Sequence, residues 1–403
     1  MSILFGHPTG NPNSHQAALA HFEAGRLEAF CVPWIPSPLT LRLLKCLDPL
    51  KPMARRLSRR HFPPLDKAPK VQGRVAEMRR LVTRACGRGS ERLSYEANDW
   101  LMHTMKRECQ RPAVTAVHAY EDCSYLQFVE SRRLGKACIY DMPIGYYPAW
   151  ERTQAELERI YTDWLPAGGS PSRRYVRPGQ KREEMSLADL VLVPSTFVAG
   201  TIRKFHPDKR IEIAPYGTDS SIRLCKMERA SKDVMTFLFV GQCSLRKGTP
   251  LLLEAWRAAG LKQARLQLVG NWQLAVAKQR ELPPRVEWIG PVSRERLCDY
   301  YGQADIFVFP TYFEGRALVI GEALSSGLPV ITTPASGAED LIDDGCGRLV
   351  PTGNFDALVE SLRWFDKNRE LLPALGFTAR ARAEACTWEN YRRRVSEAAA
   401  PYV

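Results

Sequence analysis

The chain has 403 residues, 45% of them hydrophobic and 25% charged, which suits two cored globular domains and excludes an intrinsically disordered chain. Its net charge is +13, and no run approaches eighteen apolar residues, so no membrane-spanning helix is expected. The eleven cysteines include no Cys-x-x-Cys pair and fit neither a zinc site nor a disulfide framework. They read as buried, reduced thiols of a cytosolic protein, and no metal is expected.

Met1-Ser2-Ile3-Leu4-Phe5-Gly6 lacks a charged leader and reads as a first buried strand. It runs into the Gly/Pro/Asn loop 6–13, and a helix follows on Ala18, Leu19, Phe22 and Leu27. Strand, loop and helix make a ligand-binding α/β unit, but without the G-x-G-x-x-G spacing of a dinucleotide site. Residues 33–70 are rich in Pro and Arg and read as irregular or short helices. Strands are expected at 113–118, ending on His118, and at 136–140, ending at Asp141. The stretch 166–182 reads as a loop. A helix closes at 184–189, a strand covers 190–195, and 213–219 reads as a strand-and-turn link.

A second α/β series begins at Thr236. Its strands, 236–241, 266–270, 286–290, 305–309 and 329–333, alternate with helices, which argues for a parallel sheet covered on both faces. The segment from Trp388 to about Ala399 reads as one helix.

Basic residues concentrate in the first half: Arg55, Arg56, Arg59 and Arg60, then Arg79, Arg80, Arg84, Arg88 and Arg92, then Arg173, Arg174, Arg177, Lys181 and Arg182. They read as a solvated basic surface or as an attraction to anionic lipid or an anionic acceptor. No nucleic-acid-binding module is present, which disfavours nucleic acid as a partner.

Two motifs carry chemistry. In Gly241-Gln242-Cys243-Ser244-Leu245-Arg246-Lys247-Gly248, two adjacent cations stand between a strand and a helix, where a departing diphosphate would be stabilised. In Pro310-Thr311-Tyr312-Phe313-Glu314-Gly315-Arg316-Ala317-Leu318-Val319-Ile320-Gly321-Glu322, two carboxylates lie eight residues apart across a loop-to-helix junction. Carboxylates accept hydrogen bonds from sugar hydroxyls, and the free N–H groups of a helix start donate to phosphate. Taken singly, each residue has a plain alternative: a solvated turn for Arg246 and Lys247, a capping or solvated carboxylate for Glu322, a loop carboxylate paired with Arg316 for Glu314.

Glu314 and Glu322 in this setting resemble the paired-glutamate motif of retaining GT-B glycosyltransferases, specifically family 4. The resemblance is strongest over 235–395, weaker at 183–220, and thin before that. It implies an α/β fold of two Rossmann-like domains facing across a cleft. It implies an acceptor domain at 1–216, a nucleotide-sugar domain at 217–385, and a final helix at 386–403 that crosses back to the first domain. It also implies metal-independent transfer of a sugar, without cofactor, from a nucleotide-diphosphate sugar to an acceptor hydroxyl with retention of configuration. Glu314, Lys247 and Arg246 would be catalytic. Glu322 would bind the ribose, the backbone near Arg316, Ala317, Leu318 and Val319 the diphosphate, and Ile289 the base. By analogy Gly10 would approach the donor phosphate, and Asn13, His118 and Asp141 the acceptor.

The sequence departs from the family at Gln242, where many members have Arg, and at Tyr140, next to Asp141, where many have His. The acceptor is open: a glycan, a lipid-linked sugar, a small molecule or a protein. The expected location is cytoplasmic, with possible docking on an anionic membrane surface. The rival readings are an epimerase or phosphorylase on the same fold, and an inactive sugar-nucleotide-binding scaffold.

Overall fold

The structure is a computed structural model. It describes the chain except residues 47, 49, 50, 59, 86–89, 170–176 and 219–233, and the side chains at 52, 55, 56, 76, 79, 82, 84, 85 and 90–95. Arg55, Arg56, Arg59, Arg79, Arg84, Arg88, Arg92, Arg173 and Arg174 of the basic clusters, and Asp219 of the link, therefore lie outside the described residues or side chains.

Two parallel sheets form the frame. The first contains β1 (Ser2–Gly6), β2 (Leu27–Val32), β3 (Lys70–Gln72), β4 (Val114–Tyr120), β5 (Ala137–Asp141), β6 (Leu190–Val193) and β7 (Ile211–Ile213), in the order β3-β2-β1-β4-β5-β6-β7. The second contains β8 (Met235–Val240), β9 (Ala264–Val269), β10 (Val286–Gly290), β11 (Ile306–Phe309), β12 (Val330–Thr332) and β13 (Gly347–Leu349), in the order β10-β9-β8-β11-β12-β13. Central strands such as β1, β8 and β11 are buried at every position, as helices on both faces of a parallel sheet require. In each sheet the chain direction of winding reverses once, between β1 and β4 and between β8 and β11. Ligands bind outside the carboxyl ends of strands at such reversals.

Several expectations are corrected. The first helix is Pro12–Glu23, opened by an Asn11–Ser14 capping box with bonds of 2.8 and 2.9 Å. Gly25, at φ 64°, turns the chain, so Leu27 begins β2 and is not part of the helix. β4 runs on to Tyr120, which places His118 inside the strand. Within 166–182, residues from Pro178 onward form the helix Pro178–Leu187, with proline at its first turn. The basic clusters are not simply solvated. Arg60 and Arg80 both pair with the buried Glu77, Arg177 pairs with Asp99, and Lys181 with Glu121 and Asp122. Six of the nine described cysteines are buried, and Cys46 is exposed.

The last helix, Trp388–Ala399, returns to the first sheet. Tyr391, Val395 and Ala399 belong to the first core, and Arg392 bonds Glu23 at 2.8 Å and Gln16 at 2.7 Å. The outgoing and returning chains lie side by side: Thr218 N–H donates to Cys386 O at 2.8 Å. Further contacts join the halves, among them two hydrogen bonds. Ser195 Oγ donates to Gly315 O at 2.7 Å, and Phe197 N–H donates to Glu339 at 2.9 Å. The helix Tyr147–Ile160 begins in the first core at Tyr147 and ends in the second at Leu157 and Tyr161. Among the described residues, no helix is long and apolar enough to cross a membrane.

Candidate active site

The two charged motifs meet at the winding reversal of the second sheet. The Arg246–Lys247 turn follows β8, and Glu314 follows β11, its neighbour in the sheet. The loops are laced through the Arg246 carbonyl, which accepts from Tyr312 N–H at 2.8 Å and Thr311 Oγ1 at 2.9 Å. Gly248, at φ 72°, permits this closeness, since a Cβ there would lie 2.0 Å from Pro310 O.

Glu314 Oε1 accepts from Arg246 Nη1 at 3.0 Å and from Lys247 Nζ, with Thr311 Oγ1 at 3.3 Å. The loop-carboxylate alternative for Glu314 named the wrong partner. Arg316 turns away and is buried, bonding Asp340 at 2.7 and 3.2 Å and Gly337 O at 3.0 Å. Burial pushes the Lys247 ammonium below its ordinary lysine value, while Glu314 pulls it upward and Arg246 adds to the depression. Two cations sharing one carboxylate leave the spot with a net positive charge.

Helix Leu318–Ser325 starts four residues beyond Glu314. Its first N–H groups, on Leu318 and Val319, have no carbonyl one turn back to bond within the helix. The Ala317 N–H is already taken by Ser336 O at 2.9 Å, so Ala317 does not offer its amide as the sequence suggested. Glu322, one turn into the helix, accepts from Tyr301 OH at 2.9 Å. It lines a cavity of about 70 Å³ with Arg294, Leu318 and Gly321, closed from the other half by Pro12 and Trp388. Arg246 lines a separate cavity of about 260 Å³ together with Gln242, Ser244 and Gln273, faced by Trp150 and Gln154 of the bridging helix. Ile289 is half-buried near the end of β10, whose Gly290 carbonyl accepts from Gly270 N–H at 2.9 Å.

The first sheet's reversal is more closed. Gly10 has φ 66°, but its N–H donates to His7 Nδ1 at 2.9 Å, as Thr9 N–H does at 3.1 Å. Those bonds require a neutral His7, and burial lowers its pKa to about 3. Asn13 lies half-buried in the first turn of the helix that follows. His118 is corrected: it is fully buried, 2.8 Å from His21 Nε2 and 3.4 Å from Asp141. Burial lowers its pKa to about 3, which favours a neutral core imidazole. Asp141 ends β5 as expected but is 3% exposed, and burial lifts its pKa to about 7. Its neighbour Tyr140 is tied to Glu184 at 2.9 Å.

Sequence reasoning missed Tyr301, Thr311, Trp150 and Gln154. Tyr301 carries no local signal, because it lies on a different helix from the carboxylate it holds. Trp150 and Gln154 come from the other half of the chain. Thr311 stood inside the quoted motif, and its place beside Glu314 was the one readable from spacing.

Two facing halves, each a parallel sheet with its ligand end toward the junction, define the GT-B class. The sucrose-phosphate synthase of Thermosynechococcus elongatus superposes with a TM-score of 0.63 at 16% identity, over 98% of each chain. HepE of Anabaena, solved in complex with UDP-glucose, gives 0.61 at 15% identity over the whole of both chains. Residues 226–382 match the family of glycosyl transferases group 1. A D-inositol 3-phosphate glycosyltransferase of Paenarthrobacter aurescens (strain TC1) is 26% identical over 330 residues, 73% of this chain and 78% of that protein. The chain thus shares the GT-B fold of these neighbours, and its second half is similar to the glycosyl transferases of group 1.

Proposed function

We propose that the protein transfers a hexosyl unit from a nucleotide-diphosphate sugar to an acceptor hydroxyl, with retention of configuration and without a metal ion. The observation that carries this reading is Glu314 held between Arg246 and Lys247 at the reversal of the second sheet, one short loop before a helix start. Arg246 and Lys247, with the N–H groups of Leu318 and Val319, hold the diphosphate. Glu322 accepts from the ribose hydroxyls, and the base lies against Ile289. The bond from the anomeric carbon to phosphate breaks, and the acceptor oxygen bonds that carbon from the same face. The acceptor proton passes to a leaving phosphate oxygen. Charge building on that phosphate meets fixed cations, which is where preorganised electrostatics lowers a barrier most. Glu314 contacts the transferred sugar and keeps the two cations in place.

The place of action we propose is the cytoplasm. Docking on anionic membranes loses support where Arg60, Arg80, Arg177 and Lys181 are engaged in ion pairs. Gln242 favours one second reading, an inactive nucleotide-sugar-binding scaffold.

A thermal-shift screen of wild type and Glu322→Ala against nucleotide-diphosphate sugars, with and without chelator, tests the reading. A ligand bound only by the folded state raises Tm. One donor should stabilise wild type, with chelator present, and fail on the variant. No shift with any donor would overturn the proposal. A shift without release of nucleoside diphosphate in any acceptor mixture would favour the scaffold.

A further inference from the structure

A cavity of about 270 Å³ lies beside the far end of the first sheet. Pro33 and Gly73, the residues just past β2 and β3, line it. Its chemistry comes from two helices: Glu77 and Arg80 of Arg74–Ala85, and Glu96, Asp99 and Trp100 of Ser90–Glu108.

Glu77, Arg80 and Asp99 are fixed. The Glu77 side chain is 1% exposed and accepts from Arg80 through both oxygens, at 2.8 and 2.6 Å. Arg60 reaches the same carboxylate at 2.8 Å. Asp99 is held by Arg177 at 2.9 Å. Gly73 makes room for the indole, since a Cβ there would lie 2.2 Å from the Trp100 ring. A buried carboxylate between two guanidiniums adds little stability over apolar packing, so packing alone gives no reason for it.

Among the described residues, the charges that line or brace the cavity, Glu77, Glu96 and Asp99 against Arg60, Arg80 and Arg177, cancel. A phosphate-rich ligand gains nothing there. A neutral polyhydroxylated ring does: its C–H face lies on an indole, and its hydroxyls meet oriented carboxylate acceptors and guanidinium donors. The position adds a second constraint. In sheet order β3 stands two strands from β1, so the cavity is offset from the Gly10 loop by about 10 Å. A single hexose cannot occupy both places, whereas a chain of sugars running along the strand ends can.

We propose that this cavity is a glycan subsite, holding an inner sugar of an oligosaccharide acceptor whose terminal hydroxyl is presented beside Gly10 and Asn13. The transfer part rests on the function proposed above; the binding part does not.

Saturation-transfer NMR on the full chain, without donor, tests it. The probes are gluco-, galacto- and manno-oligosaccharides from one sugar to five. Binding should tighten about ten-fold between the single sugar and the longer chains of one series. It should weaken about ten-fold in Trp100→Ala and measurably in Glu96→Gln, a surface change that leaves the core intact. Both variants should keep the wild-type thermal shift with the donor. No saturation in wild type, no dependence on chain length, or wild-type binding in Glu96→Gln and a folded Trp100→Ala would overturn the subsite. Glycan binding by a wild type that binds no nucleotide sugar would overturn the transferase reading and leave the subsite standing.

Discussion

Arg246 Nη1 stands 3.0 Å from Glu314 Oε1, and Lys247 Nζ closes on the same oxygen from the other side. One carboxylate thus orders two cations that belong to a different loop. Lys247→Ala should lower kcat by roughly 10²–10³, the loss seen when one preorganised charge-stabilising donor is removed. Glu314→Gln should lower kcat comparably while donor affinity holds or rises, because the two cations are freed toward the diphosphate. Steady-state kinetics beside calorimetric donor titration separates the two effects, and an unchanged kcat in Glu314→Gln would remove this carboxylate from the chemistry.

Tyr301 holds Glu322 from a neighbouring helix at 2.9 Å. Tyr301→Phe removes one hydrogen bond to a charged acceptor, worth about 1.5–3 kcal/mol. Donor Kd should rise by roughly ten-fold or more, with kcat at saturating donor near wild type. A kcat loss at unchanged Kd would count against the ribose assignment.

Asp141 gives a pH dependence whose sign is fixed. Its folded pKa, about 7, lies above the ordinary carboxylate value, because burial penalises the charged form. The folded state therefore holds the proton longer than the unfolded state. The stability this gives is complete below about pH 4, falls as pH rises toward 7, and is absent above. Asp141→Asn should gain in Tm relative to wild type across that window, with a constant gap above pH 7. A gap that does not change between pH 4 and 8 would show that the carboxyl is not buried.

Gly315 is pressed against the other half: a Cβ would lie 1.6 Å from Pro143 O. Backbone cannot yield as a flexible side chain does, so Gly315→Ala must separate the halves locally. The expected result is a destabilisation of about 1–3 kcal/mol and a larger radius of gyration in solution scattering, together with a lower kcat. Unchanged scattering and activity would mean that the closed contact is dispensable.

The second half was largely legible in advance. Its strands are continuous apolar runs buried on both faces, and its helices carry clear periodicity, so Phe237, Ile306 and Val330 announced their places. The spacing of Glu314 and Glu322 placed one on a loop and one in a helix, as found. The first half was harder, because its determinants are tertiary. Nothing local distinguishes His118 at a strand end from His118 two residues inside one; the difference is the bond to His21, ninety-seven positions away. The same holds for Arg60 and Arg80, which read as surface charge until Glu77 is seen between them. Gly10 read as an open phosphate loop, and only the fold brings His7 Nδ1 onto its amide.

The return of helix Trp388–Ala399 has a consequence for how the chain is made. Tyr391, Val395 and Ala399 complete the core of β1–β7. During synthesis that sheet is finished by Ile213, yet its closing helix emerges only after the entire second sheet. At ordinary translation rates the gap is roughly ten to forty seconds. For that interval the first half waits with an apolar flank uncovered, and its folding is committed only when helix Trp388–Ala399 has emerged.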